Sequence, residues 1–87
     1  MHYKYYAIFD KTENPNGTYT VTFPDIKGAI TEGTDLTKAQ LRAKECLQAM
    51  AYSYAKDGDV LPNPSSLVQL SRKYPSKIIK PVEINLK

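Results

Sequence analysis

Apolar and polar residues alternate in two early stretches of the chain. In Tyr3 to Asp10, the residues Tyr3, Tyr5, Ala7 and Phe9 share one face, and Lys4, Tyr6, Ile8 and Asp10 share the other. That pattern predicts a strand with both faces partly covered, or with one face used for contacts. Thr18 to Phe23 alternates more cleanly. Tyr19, Val21 and Phe23 point one way and Thr18, Thr20 and Thr22 the other, which predicts a core face and an exposed Thr face. Between them lies Glu13-Asn14-Pro15-Asn16-Gly17. Asn-Gly is a strong hairpin signal, in a loop longer than two residues. Pro24-Asp25 ends the second strand, because Pro donates no ladder hydrogen bond. Gly28 permits a turn, and Ala29 to Glu32 is then a short edge strand. Three strands in this order predict an antiparallel meander.

The period then changes. Leu36, Ala39, Ala43, Cys46, Leu47, Met50 and Tyr54 recur at spacings of three and four, the stripe of an amphipathic helix. Thr34 or Asp35 can cap its start, and Gly58 is a natural stop. Val60 to Ser66 is a Pro-rich, extended connector, and Leu67 to Tyr74 reads as a short helical turn. Ile78 to Leu86 alternates again, with Ile78, Val82, Ile84 and Leu86 on one face. Pro81 makes it an edge strand or marks a bulge. The expected fold class is α+β, with order β-β-β-α-β and one domain spanning 1–87.

Composition narrows the classes of function. With 87 residues, 41% hydrophobic and 24% charged, the chain reads as one ordinary globular domain. Its net charge of +3 is mild, and the only local concentration of basic residues is Arg72, Lys73, Lys77 and Lys80. That permits nucleic-acid binding without arguing for it. One cysteine, Cys46, excludes an internal disulfide and fits a reducing compartment. No apolar run has the length of a membrane span, and MHYKYYAIFD lacks the regions of a signal peptide. A cytoplasmic protein with no membrane partner is expected.

No catalytic set stands out. His2 is the one histidine and reads as a solvated terminal residue. Cys46 falls on the apolar stripe and reads as core. One His and one Cys cannot build the usual zinc site within one chain. Asp10, Asp25, Glu32 and Asp35 could hold magnesium, but a strand end, a turn after Pro24 and a helix cap account for them more simply. No phosphate-binding or dinucleotide glycine motif is present, so no cofactor is expected. Ser65, Ser66, Arg72 and Lys73 could form a phosphate-friendly surface, but a solvated loop accounts for them more simply.

One ordered set of residues does carry an identity. Tyr5-Tyr6-Ala7-Ile8, Gly17 and Val21-Thr22-Phe23-Pro24-Asp25 are followed by Gly28, Thr31, Gly33, Leu36, Ala39 and Ala43, then by Asp57-Gly58 and Pro62-Asn63-Pro64-Ser65. In order and spacing these resemble the HicB antitoxin family over roughly three-quarters of the chain. Four departures accompany the likeness. Thr34-Asp35 inverts the usual Asp-Thr, and Thr37-Lys38 replaces the usual acidic pair. Ile30 stands where a small residue or Cys is usual. Many members continue into a DNA-binding domain, and none is expected within residues 1–87.

The resemblance implies a partial RNase H-like fold, with the helix packed on the meander and the last strand beside the first. It implies no enzyme activity, no cofactor and no metal. The implied partner is a HicA-type toxin that cleaves messenger RNA, held by an antitoxin that covers its active site. Tyr6, Asp10, Thr20 and Thr22, on the outer sheet face, are the expected partner-binding residues. Phe23, Pro24, Asp25, Gly28, Gly33 and Gly58 are the expected structural motif. Open sheet edges predict a homodimer or homotetramer. A nucleic-acid-binding module, weak toward DNA by this chain alone, an orphan oligomeric domain and a magnesium nuclease using Asp10 stay open as alternatives.

Overall fold

In the computed structural model, which describes residues 1–11 and 16–86, the order is β1 (His2–Asp10), β2 (Tyr19–Thr22), β3 (Ile30–Gly33), α1 (Leu36–Lys56), α2 (Leu67–Lys73) and β4 (Ile78–Asn85). Thr12, Glu13, Asn14 and Pro15, the heart of the expected hairpin loop, lie outside the described residues, as does Lys87. The four strands form one antiparallel sheet in the order β3-β2-β1-β4. The expected meander is therefore present, and the last strand adds beside the first. β1 begins one residue earlier than the aromatic pattern suggests, at His2. That residue stands opposite Asn85, and Leu86 N–H donates to the Met1 carbonyl at 2.7 Å. The terminus is thus paired rather than loose.

Alternation decides what the sheet buries. Tyr5, Ala7, Phe9, Val21, Val82 and Ile84 point to one side and form the core with Phe23, Ile26 and Ala29. α1 closes that side with Ala39, Ala43, Leu47 and Ala51. Three of those four are alanines, and small side chains let the helix axis come close to the strands. Leu47 fills the remaining space, and its complete burial contributes roughly 2 kcal/mol. Cys46, Met50 and Tyr54 flank this stripe, as their helical spacing requires. Ala51 is the buried position that the apolar periodicity alone did not mark.

Asp35 is the cap that starts α1. Its backbone is extended, and its carboxylate accepts from Lys38 N–H at 2.8 Å. The inverted Thr34-Asp35 pair thus still supplies an acidic group to the helix start. α2 is a full short helix with a capping box: the Ser66 hydroxyl accepts from Gln69 N–H, and the Gln69 side chain accepts from Ser66 N–H. The Ser-x-x-Gln spacing carried that signal in the sequence.

The far side of the sheet is also partly covered. Ile8 points away from α1 yet is buried, outside the main core. Leu70, the one buried residue of α2, is likewise outside that core, and α2 touches β4. Both observations fit α2 lying over the far side of the β1–β4 pair. The Thr face expected to be exposed is accordingly half-buried at Thr18, Thr20 and Thr22. Neighbouring strands flank those short side chains.

Candidate protein-binding surface

The stretch Phe23 to Ala29 is a double turn. Ile26 N–H donates to the Phe23 carbonyl at 3.0 Å, and Ala29 N–H donates to the Ile26 carbonyl at 3.1 Å. Pro24 is the first central residue of the first turn, where its fixed φ is preorganised. Gly28 is the second central residue of the other turn, at φ +83°, a conformation that disfavours a side chain. Phe23 N–H donates to the Ala29 carbonyl at 3.1 Å and closes the corner. Ile26, at its tip, is among the most fully buried large side chains.

Asp25 is more than a turn residue. Its carboxylate accepts from Ser65 N–H at 2.7 Å and from Ser65 Oγ–H at 2.6 Å. The Phe-Pro-Asp and Pro-x-Pro-Ser motifs, 40 residues apart, thereby hold each other. The Tyr5 hydroxyl donates to the Pro62 carbonyl and fastens the same connector to β1. Burial first, and then the Asp25 carboxylate with Tyr3 and Tyr54, push the Tyr5 phenol above its ordinary value of 10.0. No sequence signal announced either tie, because both join segments far apart in the chain.

Gly33 has a different role from Gly28. A Cβ placed there would lie 2.4 Å from Ala39 N and 2.5 Å from Ala39 Cα. Only glycine lets β3 run directly beneath the first turn of α1. Gly58 follows α1, as its position after Asp57 suggested.

The four expected binding residues do share one face. Asp10 stands opposite Thr20, Ile8 opposite Thr22, and Tyr6 opposite Pro81 on β4. All four are half-buried. Asp10 accepts from Lys77 Nζ at 2.7 Å, with both side chains about one-third exposed. Lys4 sits 5.5 Å from the Tyr6 ring centroid, a cation–π distance. His2 Nε2 lies 3.2 Å from Glu83 Oε1, so it is exposed but not isolated.

The basic residues near the C-terminus lie on different elements. Arg72 and Lys73 end α2, Lys77 is held by Asp10, and Lys80 is half-buried in β4. Lys73 lies 5.7 Å from the Tyr74 ring centroid. Burial pushes the Cys46 thiol up, away from the thiolate that nucleophilic chemistry needs. Among the described residues, no three His, Cys, Asp or Glu side chains form a metal-binding group. No helix there is long and apolar enough to cross a membrane.

The sequence predicts β3 as a short edge strand and open edges as places for pairing, but assigns no residue there to a binding site. Grooves open on both sides of β3. One, of about 510 Å³, lies between β3 and α1 and is lined by Thr31, Gly33, Thr34, Lys38 and Arg42, among others. The other, of about 410 Å³, is lined by Thr20, Ile30, Thr31 and Glu32. Ile30 is 63% exposed.

Comparison with known proteins gives a consistent set of likenesses. A family described as the HicB-like antitoxin of a bacterial toxin–antitoxin system matches residues 4–87. Over 56 residues, or 64% of this chain, there is 38% identity to Antitoxin HicB of Escherichia coli strain K12. The chain spans about two-fifths, 41%, of that relative's length. The fold is similar to the crystal structure of the N-terminal domain of Burkholderia pseudomallei antitoxin HicB. That match has a TM-score of 0.81 and 22% identity, covering 97% of this chain and 100% of that one. It is also similar to a chain of a toxin–antitoxin complex from Streptococcus pneumoniae, with a TM-score of 0.78 and 22% identity over 98% of this chain and 70% of that one.

Proposed function

The chain belongs to the HicB-like antitoxin family, and on that premise we propose that it binds a HicA-type, RNA-cleaving toxin in the cytoplasm and covers the toxin's active site. The observation that carries this reading is the family match from residue 4 to residue 87, which takes in both helices and all of the sheet but the first two residues of β1. Two features of the chain support a role in binding rather than chemistry. The Asp10 carboxylate, at the end of β1, pairs with the Lys77 ammonium just before β4, which gives it a structural role. The sheet also offers a partner a polar face with Tyr6, Thr20 and Thr22, and an open edge at β3. The similar chain from Streptococcus pneumoniae belongs to a toxin–antitoxin complex, which adds weight to a protein partner here.

The test is co-expression with the product of the adjacent gene, where that gene encodes a small RNase-like protein. Restored growth and a complex that survives purification are expected. Continued toxicity with no complex would refute the reading.

A further inference from the structure

We propose that residues 65–77 form a latched lid over the outer face of the sheet, pinned by Asp25 at one end and by Asp10 at the other. The lid opens as a unit while the core between α1 and the sheet stays closed. The inference stands on the fold and does not depend on the antitoxin reading.

Two carboxylates hold the segment and fix its path. At its start, Asp25 accepts from Ser65 N–H at 2.7 Å and from Ser65 Oγ–H at 2.6 Å. At its end, Asp10 accepts from Lys77 Nζ at 2.7 Å. Thr22 stands opposite Ile8, so the corner that follows it, with Asp25, lies toward the Tyr6 end of β1. Lys77 leads into β4 where Ile78 stands opposite Phe9. A chain running between these two points passes Ile8. α2 lies on that path, and its Leu70 and the outward-facing Ile8 are both buried outside the main core.

Little else holds the lid down. α2 has seven residues, too few to persist on its own hydrogen bonds, and Leu70 is its one buried side chain. Leu67 and Val68 are exposed. The capping box is local and moves with the helix. The hinge after α2 works against closure, because Ser76 is held at φ +67°, a costly conformation for a residue with a Cβ. On the other side of the sheet, α1 lays down four buried side chains.

The surface beneath the lid is apolar. Ile79 stands opposite Ile8, Ile8 opposite Thr22 and Thr22 opposite Ile30, one row across all four strands. Directly opposed residues share a face. The lid hides the β1–β4 half of this row and leaves Ile30 exposed at its far end. Opening therefore lengthens an apolar row that Tyr6 and Thr20 flank on the same face.

Residue-resolved amide exchange of wild type, Asp25→Ala and Ser65→Ala tests the lid. In wild type, the Leu70 and Tyr74 amides should exchange faster than those of α1 from Ala43 to Ala51. Their exchange should depend little on urea, because the opening exposes little surface. Asp25→Ala should speed the α2 amides by about tenfold or more. The Ile26 and Ala29 amides of the corner, and those of α1, should be unchanged. Ser65→Ala keeps the N–H bond and should speed α2 by about fivefold; it carries the test alone if Asp25→Ala does not fold. Uncovering is read separately in a Cys46→Ala, Ile8→Cys background. Maleimide labelling of the thiol introduced at position 8 should rise by the same factor when Asp25→Ala or Ser65→Ala is added. Protection of α2 equal to that of α1 in wild type, unchanged α2 exchange in the variants, or equal acceleration of every amide would each overturn the lid. Faster α2 exchange with unchanged labelling at position 8 would place α2 away from Ile8 and would overturn it too.

Discussion

β4 pairs with β1 at eight consecutive positions, whereas β3 meets β2 at four. Both are edge strands, and they deal with that exposure in opposite ways. β4 carries Pro81 in unbroken register opposite Tyr6. A proline fits there when its nitrogen faces outward, so the outer edge lacks a donor at its middle. Lys77 anchors the start of β4 to Asp10, and Glu83 meets His2 across the strands. Among the described residues, β3 has no such devices. It is held from behind, by the bare backbone of Gly33 against Ala39. One edge is long, internally tied and chemically closed. The other is short, paired with β2 at four positions, packed under α1 with a close approach at Gly33, and open on its outer side. That asymmetry teaches that a small sheet can protect itself on one side and offer a strand on the other.

The comparison can be broken most severely at β4. Ile84 is buried among the core residues. Ile84→Ala should cost about 3 kcal/mol, read as a lower urea midpoint, because it leaves a cavity beneath the β1–β4 pair. A loss below about 1 kcal/mol would mean that β4 is a decoration rather than part of the core.

Gly33→Ala comes next, at about 2 kcal/mol by urea unfolding, since the new methyl meets backbone rather than a yielding side chain. Its exchange pattern should differ from that of Ile84→Ala. Amides of β3 and the first turn of α1 should speed up, while β4 stays protected. Uniform acceleration would contradict the picture of β3 as a separately held edge.

Tyr5→Phe removes the tie that carries the chain from α1 toward β4, and should cost about 1 kcal/mol at neutral pH. Its pH dependence has a definite sign. The folded phenol ionises at higher pH than the unfolded one, so its contribution is complete below about 10.0 and is lost as pH rises through the folded value. Thermal scans should therefore show wild type losing stability above pH 10 more steeply than Tyr5→Phe. Parallel curves would count against the burial of this hydroxyl.

Pro81→Thr should have the smallest effect on stability, within about 0.5 kcal/mol, because the site is exposed. It restores an outward amide and so opens the closed edge. Light scattering should show more self-association than in wild type. An unchanged mass would show that Pro81 is not what closes β4.

Much of this architecture was legible in order and period. The two-residue rhythm of Tyr3 to Asp10 and of Thr18 to Phe23 placed the first two strands, and Leu36 to Tyr54 placed α1. Pro81 marked the edge. α2 was visible only as a turn, although Ser66 and Gln69 already carried its capping box. Ile26 was passed over because a residue in a turn has no period to announce burial. The proposed surface was legible in part: parity put Tyr6, Asp10, Thr20 and Thr22 on one face, but could not show Asp10 engaged by Lys77, 67 residues away.

The sequence by itself determined the elements, their order and the family likeness, because these rest on local chemistry: alternation, helical spacing, caps and turn residues. Only the tertiary structure decided which edge is open, that Asp25 grips Ser65, and that Lys38 and Arg42 stand over β3. Those outcomes depend on which distant segments meet. A single chain of side-chain types does not specify such meetings until the core of α1 and the sheet has closed and brought them within hydrogen-bonding reach.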